Sequence, residues 1–238
     1  MKLALLGYGK MGREIEKIAL ARQHQIVLKI DAYNLNELTP ENLAMAEVAI
    51  DFSTPGSAFS NIIKCFESGI PVVCGTTGWH DRLDEVKKLC AHGDHTFFYA
   101  SNFSLGVNVF FALNKFLATL MDPLTNYDVS LKEVHHIHKL DAPSGTAITL
   151  ANDLIARVQR KKHWELNQAV DPASLKISAV REDEVPGTHV VTYDSEVDTI
   201  EISHVAKSRT GFALGAVLAA EFLPGKRGVF TMEDMMRM

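Results

Sequence analysis

The sequence predicts an α/β protein: an N-terminal Rossmann-type domain joined to an α+β domain with a mixed sheet. Three observations predict it. A glycine-rich turn, Gly7-Tyr8-Gly9-Lys10-Met11-Gly12, follows directly on the opening apolar run. Apolar, strand-like runs then alternate with helix-spaced segments as far as Ala100. After Ser101 a long amphipathic stretch leads into several strand-like runs without that alternation.

Taken in order, residues 2–6 read as a buried parallel strand, short, apolar and ended by a glycine. Met11, Ile15, Ile18 and Ala19 keep helical spacing as far as about Arg22. Gln25 to Ile30 returns to strand character and stops at Asp31, which completes a β-α-β unit. Residues 33–46 look irregular and are expected to lie over one edge. Strands are then expected over 47–52, 70–74 and 96–100, and helices over 56–67 and 81–91. In the second half, a helix over 106–120 carries Val109, Leu113, Phe116, Leu117 and Leu120. A strand over 127–136 follows, then the Pro143-Ser144-Gly145 turn and a helix reaching about Arg160. Strands are expected over 176–181, 188–195 and 199–205, the last two joined by a tight turn. A final helix over 212–223, rich in alanine and with Gly211 and Gly215, should pack closely and return to the first domain. The domains are therefore expected to be 1–101 with 212–238, and 102–211.

The composition excludes several classes. The 238 residues are 47% hydrophobic and 22% charged, with a net charge of −5. That leaves no overall basic field for nucleic acid or an anionic membrane. The run Arg160-Lys161-Lys162 reads as a solvated helix end or loop. Cys65, Cys74 and Cys90 are odd in number and lack C-x-x-C spacing, which favours reduced thiols in a cytoplasmic setting. No stretch approaches the length of a membrane span, and the opening apolar run stops at Gly7. Met235, Met236 and Met238 need nothing beyond core packing or a loose tail.

The glycine turn permits close backbone approach to a pyrophosphate, and the helix N-terminus behind it favours that anion. Asp31 stands where a ribose-binding acid belongs, so NADH should be accepted. Gly75-Thr76-Thr77-Gly78 and Ala100-Ser101-Asn102-Phe103 each end a predicted strand where ligands gather in open parallel sheets.

The segment Glu133 to Thr146 concentrates His135, His136, His138, Lys139 and a Ser144-Gly145-Thr146 turn. Three readings apply to it. A metal site lacks a nearby cysteine or clear carboxylate set, and on an extended strand His135 faces away from His136 and His138. Structural histidines are the second reading. The third is an active site, with an imidazole to give a proton, a lysine cation, and a helix start whose amides take a carboxylate. Arg181 and Arg209 could reach substrate, another subunit or solvent.

These motifs resemble the 4-hydroxy-tetrahydrodipicolinate (dihydrodipicolinate) reductase family. The resemblance runs from Gly7–Gly12 through Asp51-Phe52-Ser53, Gly75–Gly78, Ala100–Val107, Glu133–Thr146 and Gly187-Thr188-His189 to Arg209–Ala220. It implies reduction of hydroxytetrahydrodipicolinate, by way of dihydrodipicolinate, to tetrahydrodipicolinate in the diaminopimelate route to lysine. It further implies NADH or NADPH as reductant and a homotetramer; no metal is expected, on the ligand argument above. By position, His135 would be the general acid and Lys139 would hold substrate and assist proton donation. His136, Ser144, Gly145 and Thr146 would bind the substrate's carboxylates. Gly7, Tyr8, Gly9, Lys10, Met11, Gly12, Asp31, Gly75, Thr76, Thr77 and Ala100 to Phe103 would line the cofactor. Two departures leave the choice of cofactor open: a glycine loop shorter than in many members, and no arginine after Asp31. The competing enzyme is another two-domain reductase, such as an amino-acid or semialdehyde dehydrogenase; the latter requires a catalytic cysteine. A nucleotide-sensing regulator would require a DNA-reading element and a basic face.

Overall fold

The computed structural model describes residues 1–237, the side chain of His80 excepted. In chain order the elements are β1 (Lys2–Leu6), α1 (Lys10–Ala21), β2 (Gln25–Ile30), α2 (Pro40–Leu43), β3 (Val48–Asp51), α3 (Pro55–Glu67), β4 (Val72–Cys74), α4 (Leu83–His92) and β5 (Thr96–Tyr99). There follow α5 (Leu105–Met121), β6 (Asp128–His135), α6 (Gly145–Ile155), β7 (His163–Leu166), β8 (Ser174–Arg181), β9 (Thr188–Asp194) and β10 (Thr199–Val205). The chain ends in α7 (Thr210–Phe222), β11 (Gly228–Phe230) and α8 (Met232–Met236). It divides into one unit of 1–105 with 210–238 and a second of 106–209.

The first unit is built on a six-stranded sheet in the order β11-β5-β4-β3-β1-β2, every pairing parallel. Its central strands carry apolar side chains to both faces, as a sheet covered by helices on each side requires. Leu6, Ala49 and Val72 enter one core with Ile62 and Phe66 of α3. Leu5, Ile50 and Val73 enter the other with Ile15 of α1 and the alanines of α7. Each such Leu, Ile or Val contributes roughly 1.5–3 kcal/mol. The Arg22–Glu221 pair joining α1 to α7 is partly exposed at 40% and 26%, so screening leaves it about 0–1 kcal/mol. Apolar packing therefore decides where α7 docks. Gly215 is required there, since a Cβ would fall 1.7 Å from the carbonyl oxygen of Phe103.

The second unit has a mixed sheet in the order β10-β9-β6-β8-β7. β6 is central, antiparallel to β9 and parallel to β8. It alternates strictly, with Val129, Leu131, Glu133 and His135 all turned to the buried face. Val129 and Leu131 pack there against Leu150 and Leu154 of α6.

Several expectations change. Residues 33–46 hold a short 3₁₀ turn, Leu35–Glu37, and α2, whose N-cap Thr39 accepts from the Asn42 amide. The strand expected through residue 136 ends at His135, and residues 137–138 turn, with the Lys139 amide bonded to the His136 carbonyl at 3.1 Å. The helix expected to reach Arg160 stops at Ile155: the Arg157 amide turns to the Leu154 carbonyl three residues back at 3.0 Å, and beyond it Asp122 takes the Gln159 amide at 2.7 Å. The basic run, expected to be solvated, is exposed only at Lys162. Arg160 binds the carbonyls of Asp122 and Tyr127, and Lys161, only 3% exposed, binds those of Pro172 and Ser174 and the Asp128 carboxylate. β7, β11 and α8 were not anticipated. Met235 and Met236 pack against the first unit's core, while Met238 lies outside the described residues.

Candidate functional site

At the C-terminal end of the parallel sheet a cleft of about 450 Å³ opens beside the glycine turn. Gly7, Tyr8, Gly9 and Asp31 line it, together with Arg13 and Phe52. Gly7 has φ +94°, and a Cβ there would lie 2.3 Å from the Phe52 carbonyl oxygen, so the turn closes tightly only with glycine. Gly9 is the N-cap of α1; it faces open space, no side chain caps the helix, and its first turn holds no acidic residue. Uncapped N–H groups, a positive dipole end and an adjoining cleft fit a dinucleotide's pyrophosphate.

Of the expected cofactor residues, Lys10, Met11 and Gly12 belong to α1 and do not line the cleft. Gly75, Thr76 and Thr77 follow β4, and Ala100 to Phe103 follow β5; they lie outside it but are tied to its wall. Gly75 abuts the Phe52 ring, and Phe103 meets that ring at 5.5 Å between centroids. Thr76 is buried and donates its hydroxyl to Asp51 at 2.9 Å. Asp51 also accepts from the Ser53 amide (2.9 Å) and Asn61 (3.1 Å), so one buried carboxylate fastens the loops after β3 and β4. Burial pushes its pKa up, against the pull of those hydrogen bonds. Arg13 escaped the sequence reading because only the helix brings it round to the cleft that Asp31 also lines. Its signal was its position four residues after Gly9, on the face of the Gly9 cap.

In the second unit, strand register assembles what the sequence separates. Glu133 of β6 stands opposite His189 of β9, and His135 beside Arg181 of β8. Glu133 is fully buried. Its oxygens accept the Ser144 amide at 3.1 and 3.2 Å and Arg181 Nη2 at 3.3 Å. His135 Nδ1 lies 3.4 Å from Glu133 Oε2, and His189 Nε2 lies 3.7 Å from the same oxygen. The Ser144 hydroxyl faces inward, capping α6 through the Ala147 amide and meeting His189 Nε2 at 3.1 Å. A Cβ on Gly187 would sit 3.1 Å from His135 Nε2, so glycine keeps that nitrogen clear.

Burial lowers the His135 pKa; Glu133 and Asp141 oppose this, while Lys139 and Arg181 add to it. Burial, with the nearby positive charges, takes His189 down to about 3, so it is neutral near pH 7. Lys139 Nζ holds Asp141 at 2.7 and 2.8 Å on the rim. His136 keeps a buried Nδ1 with no hydrogen-bond partner, and Gly145 opens α6 with nothing within 4 Å of its Cβ position. His138 points outward to an exposed Glu184. The sequence reading missed Glu133 as a side chain of the site; the signal was the two-residue alternation ending at His135.

Glu133, His135 and His189 have the composition of a metal site, with donor atoms within 4.8 Å of one another. That supplies the carboxylate the sequence reading did not find. Yet both Glu133 oxygens already accept hydrogen bonds, one from the Arg181 cation at 3.3 Å, and a second cation there would be repelled.

These features define a Rossmann-type α/β unit with a mixed-sheet α+β unit, the class of two-unit oxidoreductases. Family models narrow it: dihydrodipicolinate reductase, N-terminus, matches residues 1–103, and dihydrodipicolinate reductase, C-terminus, matches residues 106–236. The chain belongs to the dihydrodipicolinate reductase family. It is 52% identical over 240 residues, 99% of this chain and 98% of the relative, to the 4-hydroxy-tetrahydrodipicolinate reductase of Christiangramia forsetii. To the enzyme of that name from Staphylococcus aureus it is 33% identical over 253 residues, covering 99% and 100%. A solved structure, dipicolinate-bound dihydrodipicolinate reductase from Paenisporosarcina sp. TG-14, shares the fold at TM-score 0.78 and 22% identity, over 98% of each chain.

Proposed function

We propose that the chain is a 4-hydroxy-tetrahydrodipicolinate reductase, reducing the dehydrated dipicolinate intermediate to tetrahydrodipicolinate in lysine and diaminopimelate biosynthesis. Identity of 52% to the curated relative over nearly the whole chain carries this reading. A bound nicotinamide dinucleotide supplies the hydride. The unit of 1–105 with 210–238 holds it: the α1 N-terminus takes the pyrophosphate, Asp31 the ribose hydroxyls, and the loops after β4 and β5 the nicotinamide end. Arg13 shares the cleft with Asp31 and offers a 2′-phosphate a cation, so both NADH and NADPH are accepted.

The second unit does the acid chemistry. His135 Nε2 gives a proton to the atom that gains the electron pair, which relieves the charge hydride addition creates. Lys139 exchanges Asp141 for one substrate carboxylate, and His136 with the Gly145–Thr146 start of α6 takes another. Ser144 acts behind them as cap and tie. The enzyme works in the cytoplasm as a homotetramer, to which the edge strand β10 offers exposed Ile200 and Val205.

A semialdehyde dehydrogenase is disfavoured by its need for a thiolate. Cys65, Cys74 and Cys90 are all buried, and burial raises every one of their pKa values. As a test, pyridine-2,6-dicarboxylate, a planar dicarboxylate the enzyme cannot reduce, should inhibit competitively with substrate and lose potency in Lys139→Ala. Inhibition competitive with NADH instead would remove the second unit from the dicarboxylate-binding role.

A further inference from the structure

Glu133 has no exposed surface, on a strand face otherwise given to Val129, Leu131 and His135. Burying a carboxylate costs several kcal/mol unless it is paired, and an apolar side chain would fill the space at less cost. Its presence therefore calls for a task. Its four neighbours come from four places: the Ser144 amide before α6, Arg181 on β8, His189 on β9 and His135 on its own strand.

We propose that Glu133 is a positioning residue for the reduction, receiving the Nδ1–H of His135 so that Nε2 carries the transferable proton. This rests on the reading of His135 as the acid. Nδ1 is buried, has no hydrogen-bond partner within normal reach, and has the Glu133 oxygen 3.4 Å away. A small ring rotation closes that gap to a charge-assisted hydrogen bond. The opposite edge of the ring, Nε2, lies against Gly187, where the missing side chain leaves it clear. The ring thus has one nitrogen aimed at a fixed anion and the other unobstructed. The same carboxylate grips the Ser144 amide, so the acid and the start of α6 are held by one group.

The charges around His135 make the anion necessary. Arg181 from β8 and Lys139 from the following turn both disfavour an imidazolium, as does burial. His189 from β9 is neutral near pH 7 and gives no help. Only Glu133 and the rim residue Asp141 favour the protonated ring, and Glu133 does so more strongly. In the step itself, hydride addition forms a C–H bond and displaces a π pair of the substrate; the Nε2–H bond breaks and its proton bonds to the substrate atom that takes that displaced pair. His135 is left neutral with its proton on Nδ1, Glu133 stays a carboxylate, and Nε2 is reloaded from water.

The test is Glu133→Gln in the full chain, with Glu133→Asp as the conservative variant. Glu133→Gln should lower kcat about 10- to 10²-fold and move the alkaline limb of its pH profile down by about one pH unit or more. The KM for NADH should not move, and Glu133→Asp should restore much of the rate and of the limb. An unshifted limb in Glu133→Gln, or equal losses in both variants, overturns the proposal. Nitrogen-15 NMR of His135 in the unsubstituted protein decides the matter without activity or a variant that folds. The neutral ring should carry its proton on Nδ1; a proton on Nε2 overturns it. Failure of the unsubstituted protein to reduce substrate, with the Nδ1 tautomer present, would count against the functional reading alone.

Discussion

Asp51→Ala and Asp51→Asn should separate what a buried carboxylate does for the dinucleotide-binding unit. In Asp51→Ala the Thr76 hydroxyl loses its acceptor outright. The Ser53 amide keeps Thr76 Oγ1 at 2.9 Å and Asn61 keeps Ser53 Oγ at 3.3 Å, so neither is stranded. One buried orphan donor costs about 1–3 kcal/mol and the vacated volume about 1 more, giving a loss of roughly 2–4 kcal/mol. Asp51→Asn keeps Oδ1 for Ser53 and Thr76. Its new amide meets Asn61, which can flip and take it, so the cost is about 1 kcal/mol or less.

The pH dependence has a definite sign. Burial raises the Asp51 pKa above its ordinary 3.8, so its stabilising contribution is complete below that value and is lost as pH rises through the folded one. Asp51→Asn should therefore gain on the parent protein as pH rises through that window. The assay is urea denaturation followed by Trp79, whose indole donates to the Thr76 carbonyl at 2.7 Å, in a background with Trp164, the only other tryptophan, replaced by Phe. Equal losses in the two variants, or a gap between Asp51→Asn and the parent protein that does not change with pH, would refute the reasoning. Asp51→Ala should also raise the KM for NADH.

Three further outcomes follow from the same geometry. His135→Gln should cut turnover by roughly 10²–10⁴-fold and leave NADH affinity intact; near-normal turnover would remove it from the acid role. Asp31→Ala should impair NADH more than NADPH, and Arg13→Ala the reverse, each read as kcat/KM with either cofactor; parallel losses would mean neither residue reads the ribose. Because the pKa of His189 is about 3 against an ordinary 6.5, its contribution is complete above 6.5 and is lost as pH falls towards 3. That loss is at most about 1.4 kcal/mol per pH unit, so His189→Asn should unfold with a shallower acid limb in a pH series of melts.

The glycine turn and Asp31 were legible because both belong to one local β-α-β unit, where spacing along the chain becomes position in space. His135, Lys139 and Gly145 were legible as chemistry, since one short segment holds them. Glu133 and His189 were not, because their meeting is a product of strand register: β9 comes back beside β6 from over fifty residues downstream. Arg181 arrives through β8 in the same way. The basic run at Arg160 misled for a related reason. Lysine looks solvated in one dimension, but here carbonyls of Pro172 and Ser174 converge on Lys161. β11 escaped notice because three residues carry too little pattern, and only pairing with β5 makes them a strand.

The most direct measurement of the central claim is nicotinamide oxidation on substrate generated in situ from pyruvate and aspartate semialdehyde by the preceding synthase, with NADH and NADPH in parallel. Rapid oxidation with both cofactors, dependent on the synthase and cut by roughly 10²-fold or more in His135→Gln, is the predicted result. No substrate-dependent oxidation with either cofactor, by folded protein that still binds NADH, would contradict the assignment.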